Sequence, residues 1–209
     1  MISARDAIEH LRDGNRRFVA NLRSLSPVVS DAPRAELANE QHPFAIILGC
    51  SDSRVPPEII FDLGLGDLFV IRVAGNIAAP SQVDSVEIAA SQFGTRLVIV
   101  LGHSHCGAIL ATLEGLRQPK EPNSPHFRSI VDRVRPSVKG LLATELKNDP
   151  DALVKQAVRA NVRASANQLR HGSAVLEQLI QNEGLVVVGA EYSLETGVVD
   201  FFDVEPAVG

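Results

Sequence analysis

The 209-residue sequence has little of several features that would place it in a specialised class of protein. It has only two cysteines, which excludes a disulfide-dense scaffold. Its 20 lysines and arginines are outnumbered by 25 acidic residues, so no excess positive charge is available for the phosphates of nucleic acid. No apolar run approaches the ~20 residues that span a bilayer, and residues 1–18 lack an apolar stretch like a signal-peptide core. We therefore expect a cytoplasmic protein with no nucleic-acid partner and no membrane partner.

The remaining composition is that of an ordinary globular protein. The apolar fraction is 45% and the charged fraction is 22%. A chain of this mass buries roughly 70% of its extended-chain surface, so it can form a core without disulfides. We predict a single domain over residues 1–209, with an N-terminal helical arm over about 1–40 and an α/β core over about 41–209.

Short apolar runs alternate with helical segments along the chain. The runs are rich in β-branched residues and do not alternate with polar ones, which is typical of strands buried on both faces. They cover residues 44–48, 68–71, 97–101 and 185–188. Helices are predicted over 83–92, 108–116, 127–142 and 152–180, the last broken near Gly172. Residues 198–204 follow a hairpin turn at 195–197 and read as an antiparallel strand. The prediction is an α/β fold with a central, mostly parallel four-stranded sheet, an antiparallel edge strand and flanking helices.

Two motifs follow predicted parallel strands at their carboxyl ends, where ligand sites form in open α/β sheets. Cys50 follows one strand, and His103 and Cys106 follow another. If these strands are neighbours, the three side chains can converge, with one helical turn bringing His103 and Cys106 to the same side. Two thiolates and one imidazole favour zinc, and three protein ligands with an open fourth position are typical of a catalytic zinc. The ordinary alternative is that both cysteines are core residues.

Asp52 and Arg54 come directly after Cys50. The Asp52 carboxylate can reach the metal or pair with Arg54, whose guanidinium binds a carboxylate through two hydrogen bonds. The fourth zinc position is free when Arg54 holds Asp52, and it is closed when Asp52 is the fourth ligand. A surface ion pair is the ordinary alternative. A cysteine-phosphatase loop is excluded, because Arg54 follows Cys50 too closely to form a phosphate cradle.

At these motifs the sequence resembles the β-class carbonic anhydrases. The similar segments are Cys50-Ser-Asp-Ser-Arg54 and His103-Ser-His-Cys106-Gly107, with further likeness at residues 66–76 and 85–89. The resemblance implies one zinc per chain bound by Cys50, His103 and Cys106, and an Asp52–Arg54 dyad. It implies reversible hydration of carbon dioxide to bicarbonate and a proton, by attack of zinc-bound hydroxide.

The resemblance also implies a homodimer with active sites at the interface, or a dimer of dimers. Apolar residues recur at helical spacing within residues 4–22 and form a stripe along one face. Ser3 could cap this helix together with Asp6. We expect the apolar face of this stripe to bury against the partner, through Ile8, Leu11 and Phe18.

Five residues are implied to contact substrate. Gln41 matches a glutamine that hydrogen-bonds substrate, Phe69 and Ala74 match positions lining an apolar pocket, and Ile88 matches a position supplied by the neighbouring subunit. Gly107, which closes the second motif, is also expected to bind substrate. From their sequence positions alone, these residues would be ordinary loop or core residues.

One subset of the family has a regulatory bicarbonate pocket built from tryptophan, arginine and tyrosine. Arg72 and Tyr192 match two of these positions, but Ile47 stands at the third and the chain has no tryptophan. The sequence is therefore more similar to the unregulated, plant-like subset.

Two other functions fit the same motifs. One is hydrolysis of carbon disulfide or carbonyl sulfide on the same scaffold. The other is a non-catalytic scaffold that binds bicarbonate, against which the intact dyad and Gln41 argue. His105 is close enough in sequence to act as a proton shuttle, but its neighbour Cys106 predicts that it points away from the site.

Overall fold

The computed structural model describes residues 2–22, 38–118 and 125–204, with only the backbone described at 125–127 and 204. Residues 23–37, which belong to the predicted N-terminal arm, lie outside the described residues. None of the described helices is long and apolar enough to cross a bilayer.

Five strands form one sheet, and each of the predicted apolar runs lies in or overlaps one of them. The strands are β1 (Ala45–Gly49), β2 (Leu68–Arg72), β3 (Leu97–His103), β4 (Val186–Tyr192) and β5 (Val199–Val204). Their order in the sheet is β2-β1-β3-β4-β5. The first four are parallel and β5 is antiparallel to β4. The predicted fold class is therefore confirmed.

The helices cover the sheet on both faces. They are α1 (Ala4–Val19), α2 (Pro57–Ile60), α3 (Pro80–Gln92), α4 (Gly107–Arg117), α5 (Pro125–Val138), α6 (Pro150–His171) and α7 (Ala174–Glu183). The predicted break near Gly172 is confirmed, because this residue ends α6 and Ser173 caps α7 through its side chain. The segment predicted to be helical up to residue 142 ends as a 3₁₀ turn over Lys139–Ala143.

Two apolar clusters lie on opposite faces of the sheet. Successive strand residues point to opposite sides, so Ala45 and Ile47 join one cluster, whereas Ile46 and Leu48 join the other. All four are fully buried. Burial on both faces explains why β1 is continuously apolar.

Helix α1 packs against its own chain. Ser3 accepts a hydrogen bond from the Asp6 backbone N–H, as the sequence predicts. A Cβ added at Gly14 would lie 1.8 Å from the Phe61 carbonyl oxygen, so only glycine permits this close approach. Asn15 donates to the carbonyls of Ile60 and Gly197. These contacts turn the apolar face inward.

The expectation that Leu11 buries against a partner is therefore wrong, whereas for Ile8 and Phe18, which are only half-buried, it stays a prediction. Leu11 is fully buried within its own chain, and Ile8 and Phe18 pack against the same core cluster. The sequence periodicity identified the buried face correctly, but periodicity carries no information about which chain covers that face.

Candidate metal centre

Cys50, His103 and Cys106 converge at the carboxyl ends of β1 and β3. These strands are neighbours in register, with Gly49 beside Leu101. The two sulfur atoms and one imidazole nitrogen all lie within 4.8 Å of one another, and all three residues are buried. The sequence predicts this convergence on the condition that the strands are adjacent, and that condition is met.

The route by which His103 and Cys106 meet differs from the prediction. His103 is the last residue of β3, and Cys106 is the N-cap of α4, so no helical turn joins them. Instead His105 has a φ of 54°, a left-handed conformation that folds the chain back between strand and helix. The spacing of three residues is therefore a tight turn rather than one turn of a helix.

The His103 ring is oriented by the backbone. Its Nδ1 lies 2.8 Å from the Ser104 carbonyl oxygen, which requires the proton on Nδ1 and leaves the Nε2 lone pair free. Nε2 is buried and has no hydrogen-bond partner among the described residues. A buried, unpaired imidazole nitrogen facing two sulfurs fits a metal ligand, and the outer hydrogen bond is the kind that fixes such ligands.

The two thiols act as a pair. The side-chain hydrogen bond with Cys106 is the main factor that lowers the pKa of Cys50, while burial opposes it. The same hydrogen bond, together with burial, raises the pKa of Cys106. A divalent cation bound here would displace the thiol protons, because metal-bound cysteines are thiolates. This donor set of two sulfurs and one nitrogen fits zinc.

Asp52 lies over this group, held away from it by Arg54. The Arg54 Nε donates to Oδ1 at 2.9 Å and Nη2 donates to Oδ2 at 2.8 Å, the bidentate arrangement predicted. The side-chain hydrogen bonds of Arg54 are the main reason that the pKa of Asp52 falls well below its usual range. Asp52 Oδ2 is 4.0 Å from His103 Nε2. The carboxylate is therefore close to the three donors without belonging to their group, as in the open arrangement.

Arg72 anchors the loop that carries Cys50 and Asp52. Its Nε donates to the Cys50 carbonyl at 2.9 Å, and its Nη2 donates to the Asp52 carbonyl at 2.5 Å. No local sequence pattern predicts this role for Arg72. The available signal is its position at the end of β2, because β2 neighbours β1 in the sheet.

The substrate residues expected from the resemblance fall into two groups. Ala74 and Gly107 are exposed and lie close to the three donors. Gly107 directly follows Cys106, and Ala74 directly precedes Gly75, whose N–H donates to the Cys50 sulfur. Gly107 begins α4, where backbone N–H groups lack helical partners.

The other three residues lie away from the metal donors of their own chain. Gln41 precedes β1 whereas Cys50 follows it, and five strand residues span about 16 Å. Phe69 is beside Ile46 near the start of β2, and its ring is 6.0 Å from that of Phe93. Ile88 lies on α3 and is exposed. These residues are not brought to the site by the fold of one chain.

Comparison with known proteins identifies the family. A family model described as carbonic anhydrase matches residues 45–199. The chain belongs to the carbonic anhydrase family. It is 39% identical over 187 residues to carbonic anhydrase 2 of Mycobacterium tuberculosis, covering 90% of this chain and 87% of that protein. It is 38% identical over 190 residues to the carbonic anhydrase of Mycolicibacterium smegmatis, covering 91% and 89%.

Solved structures place this carbonic anhydrase in the β class. The β-carbonic anhydrase CafA of Aspergillus fumigatus matches with a TM-score of 0.74 and 27% identity, covering 93% of this chain and 90% of that one. A tetrameric β-carbonic anhydrase of Sordaria macrospora shares the fold, with a TM-score of 0.73 and 22% identity over 94% of this chain and 97% of that one. The resemblance to the β-class carbonic anhydrases is confirmed, and with it the classification of the chain as a lyase.

The residues at the three positions that match the family's regulatory pocket are buried or hydrogen-bonded within the fold of this carbonic anhydrase. Ile47 is fully buried in β1. Arg72 is bound to the two loop carbonyls. Tyr192 is buried at the end of β4, with its ring 6.4 Å from that of Phe18.

His105 points away from the metal donors, as predicted. Its Nε2 lies 2.6 Å from Glu195 Oε1, and both side chains are exposed. Glu195 also accepts from the Ser104 hydroxyl at 2.9 Å. Its own backbone N–H is the first cause of a pKa lowered to about 2, with the Ser104 hydroxyl next. This carboxylate therefore ties the turn between the ligands to the β4–β5 hairpin.

Proposed function

We propose that this chain catalyses the reversible hydration of carbon dioxide to bicarbonate and a proton, using one zinc ion held by Cys50, His103 and Cys106. The observation that carries the proposal is the group of three buried donors with Asp52 held beside it by Arg54. Zinc, when bound, supplies Lewis acidity that makes a nucleophile available from water near neutral pH. We also propose that the enzyme works in the cytoplasm.

Asp52 orients the attacking group. Its carboxylate is ionised and fixed by two hydrogen bonds from Arg54, so it can only accept a hydrogen bond at its remaining lone pairs. A carboxylate in that state selects a nucleophile that still carries a proton to donate. Arg54 sets the position of the carboxylate and keeps it from becoming a fourth ligand.

The remaining residues near the donors bind and release the substrate. Ala74 has only a methyl side chain and Gly107 has none, which leaves room beside the cluster for a small linear molecule. The N–H groups at the start of α4, near Gly107, suit an oxyanion that develops as bicarbonate forms.

A second copy of the chain completes the pocket in this proposal. Gln41, Phe69 and Ile88 match substrate-contacting positions of the family but lie away from the donors of their own chain. They can serve a site only across an interface, and a symmetric dimer would give each site the partner's set. We therefore propose a homodimer, alone or paired into a dimer of dimers.

The test is a stopped-flow assay of the zinc-loaded protein, with a pH indicator and with carbon dioxide, carbonyl sulfide and carbon disulfide as separate substrates. Rapid, zinc-dependent proton release with carbon dioxide is the expected result. Turnover restricted to the sulfur compounds would assign the chain to the hydrolase alternative. No turnover, with bicarbonate bound, would assign it to the scaffold alternative.

A further inference from the structure

Asn161 is a buried amide on a helix face that is otherwise largely apolar. It lies in α6, where its neighbours on the same face include Val158, Val162 and Leu169. Only 2% of its surface is exposed. A buried amide must be hydrogen-bonded, because burial without a partner removes its bonds to water. Its Nδ2 donates to the carbonyl of Gly75 at 2.7 Å, 86 residues away in the sequence.

Gly75 connects this amide to the metal centre. Its backbone N–H donates to the Cys50 sulfur, with a separation of 3.4 Å. The backbone N–H of Gly75 therefore contacts a proposed zinc ligand, while its carbonyl accepts a hydrogen bond from Asn161. Through these two hydrogen bonds, Gly75 links helix α6 to the Cys50 sulfur.

The segment around Gly75 needs such an anchor. Gly75 has a φ of 72° and Asn76 has a φ of 41°, so two successive residues are left-handed. A non-glycine residue in this region persists where surrounding contacts hold it in place. A Cβ at Gly75 would lie 3.1 Å from the Ala108 Cβ, so the segment also sits tightly against α4.

Hydrogen bonds to a ligand sulfur control how strongly it donates to the metal, and outer partners of ligands typically change metal affinity or activity by roughly 10- to 100-fold when mutated. We propose that Asn161 is a positioning residue of the metal centre, which fixes the Gly75 amide that hydrogen-bonds the Cys50 sulfur. The inference rests on the proposed zinc site.

The test compares Asn161→Ala and Asn161→Asp with the wild type and with Ser165→Ala. Aspartate has nearly the shape of asparagine but lacks the N–H donor. Ser165 is the control, because it is buried on the same face of α6 one turn later and makes none of the described hydrogen bonds to residues 74–76. The readouts are the zinc dissociation constant by chelator competition, and the sulfur-to-metal charge-transfer band of the cobalt-substituted protein. Thermal unfolding of each variant reports its folded state.

Both Asn161 variants should weaken zinc binding by roughly 10- to 100-fold and shift the cobalt charge-transfer band, whereas Ser165→Ala should change neither. A folded Asn161 variant with wild-type affinity and a wild-type band would overturn the inference. A wild type that binds no zinc would instead overturn the proposed function, so the two failures are distinguishable.

If neither Asn161 variant folds, NMR of the wild type loaded with cadmium-113 tests the inference. Scalar coupling between cadmium and the Gly75 amide proton is expected if the amide is held on the ligand sulfur. Absence of this coupling would overturn the inference.

Discussion

Arg54 holds Asp52 through two side-chain hydrogen bonds, Nε to Oδ1 at 2.9 Å and Nη2 to Oδ2 at 2.8 Å. The carboxylate also accepts a hydrogen bond from the Arg54 backbone N–H at 3.0 Å. It remains 4.0 Å from His103 Nε2. In this structure one arginine side chain therefore holds the Asp52 carboxylate beside the three candidate metal donors.

Substituting Arg54 should let Asp52 block the fourth coordination position of the zinc without releasing the zinc. In Arg54→Ala the Asp52 carboxylate loses both guanidinium bonds, and the metal becomes its best partner. We expect carbon dioxide hydration to fall by roughly a hundredfold, the loss that follows when a reacting group is misplaced by about 1 Å. Zinc content should be unchanged. Arg54→Lys should rescue only in part, because an ammonium cannot form the planar two-bond contact.

The measurements for this pair of variants are the hydration rate, the zinc content and a crystal structure of Arg54→Ala. Full activity with Asp52 still away from the metal would show that Arg54 is only a structural ion pair.

Mixing two defective variants tests whether Gln41 serves the partner's site. Gln41→Ala lacks the substrate contact and Arg54→Ala lacks the dyad, so each alone should be weakly active. In a mixed dimer one site receives intact copies of both residues, provided that Gln41 acts across the interface. Random exchange of subunits should therefore restore about a quarter of wild-type activity, since half the dimers are mixed and each has one complete site.

The control for the mixing experiment is each variant incubated with itself under the same exchange conditions. No recovery in a mixture shown by mass spectrometry to contain mixed dimers would place Gln41 in the site of its own chain.

Two glycines within helices should respond to alanine in opposite directions. Gly14→Ala forces a Cβ to within 1.8 Å of the Phe61 carbonyl oxygen, so α1 must move away from its chain. We expect a loss of about 1–3 kcal/mol in the free energy of unfolding. Gly115→Ala on α4 adds a methyl group to open space. It should increase stability by up to about 1 kcal/mol through helix propensity.

Chemical denaturation of both glycine variants measures these changes. Equal effects would mean that α1 is not packed on its own chain as described.

Bicarbonate should inhibit only as a product. Ile47 is fully buried in β1, and Arg72 is bound to the carbonyls of Cys50 and Asp52. Residues at the positions of the family's regulatory pocket are thus engaged in the fold. Inhibition curves should be hyperbolic with a Hill coefficient near one. A steep sigmoidal curve would show that a cooperative bicarbonate site exists without tryptophan.

The sequence predicts the sheet because the strands are continuously apolar, and strands of that kind are buried on both faces. It predicts the three donors because both cysteines follow such strands, and parallel strands end at one edge. The short helix α2 was missed, since four residues carry no periodicity.

Other features depend on tertiary geometry that no local pattern encodes. The left-handed turn at His105 and the bond from Asn161 to Gly75 belong to this class. The separation of Gln41 from Cys50 could have been found by counting the strand residues between them. The resemblance implies active sites at a dimer interface, but it marks only Ile88 as supplied by the neighbouring subunit.

The most direct test of the central claim is a zinc titration of metal-free, reduced protein with the hydration rate as readout. Activity should rise in proportion to added zinc and reach a plateau at one zinc per chain. His103→Ala should neither bind zinc tightly nor turn over, because it removes the buried imidazole donor. The matched His105→Ala should titrate like the wild type, since that side chain is exposed and paired with Glu195. Tight binding of one zinc per chain without carbon dioxide hydration, or hydration that does not depend on zinc, would contradict the proposed function.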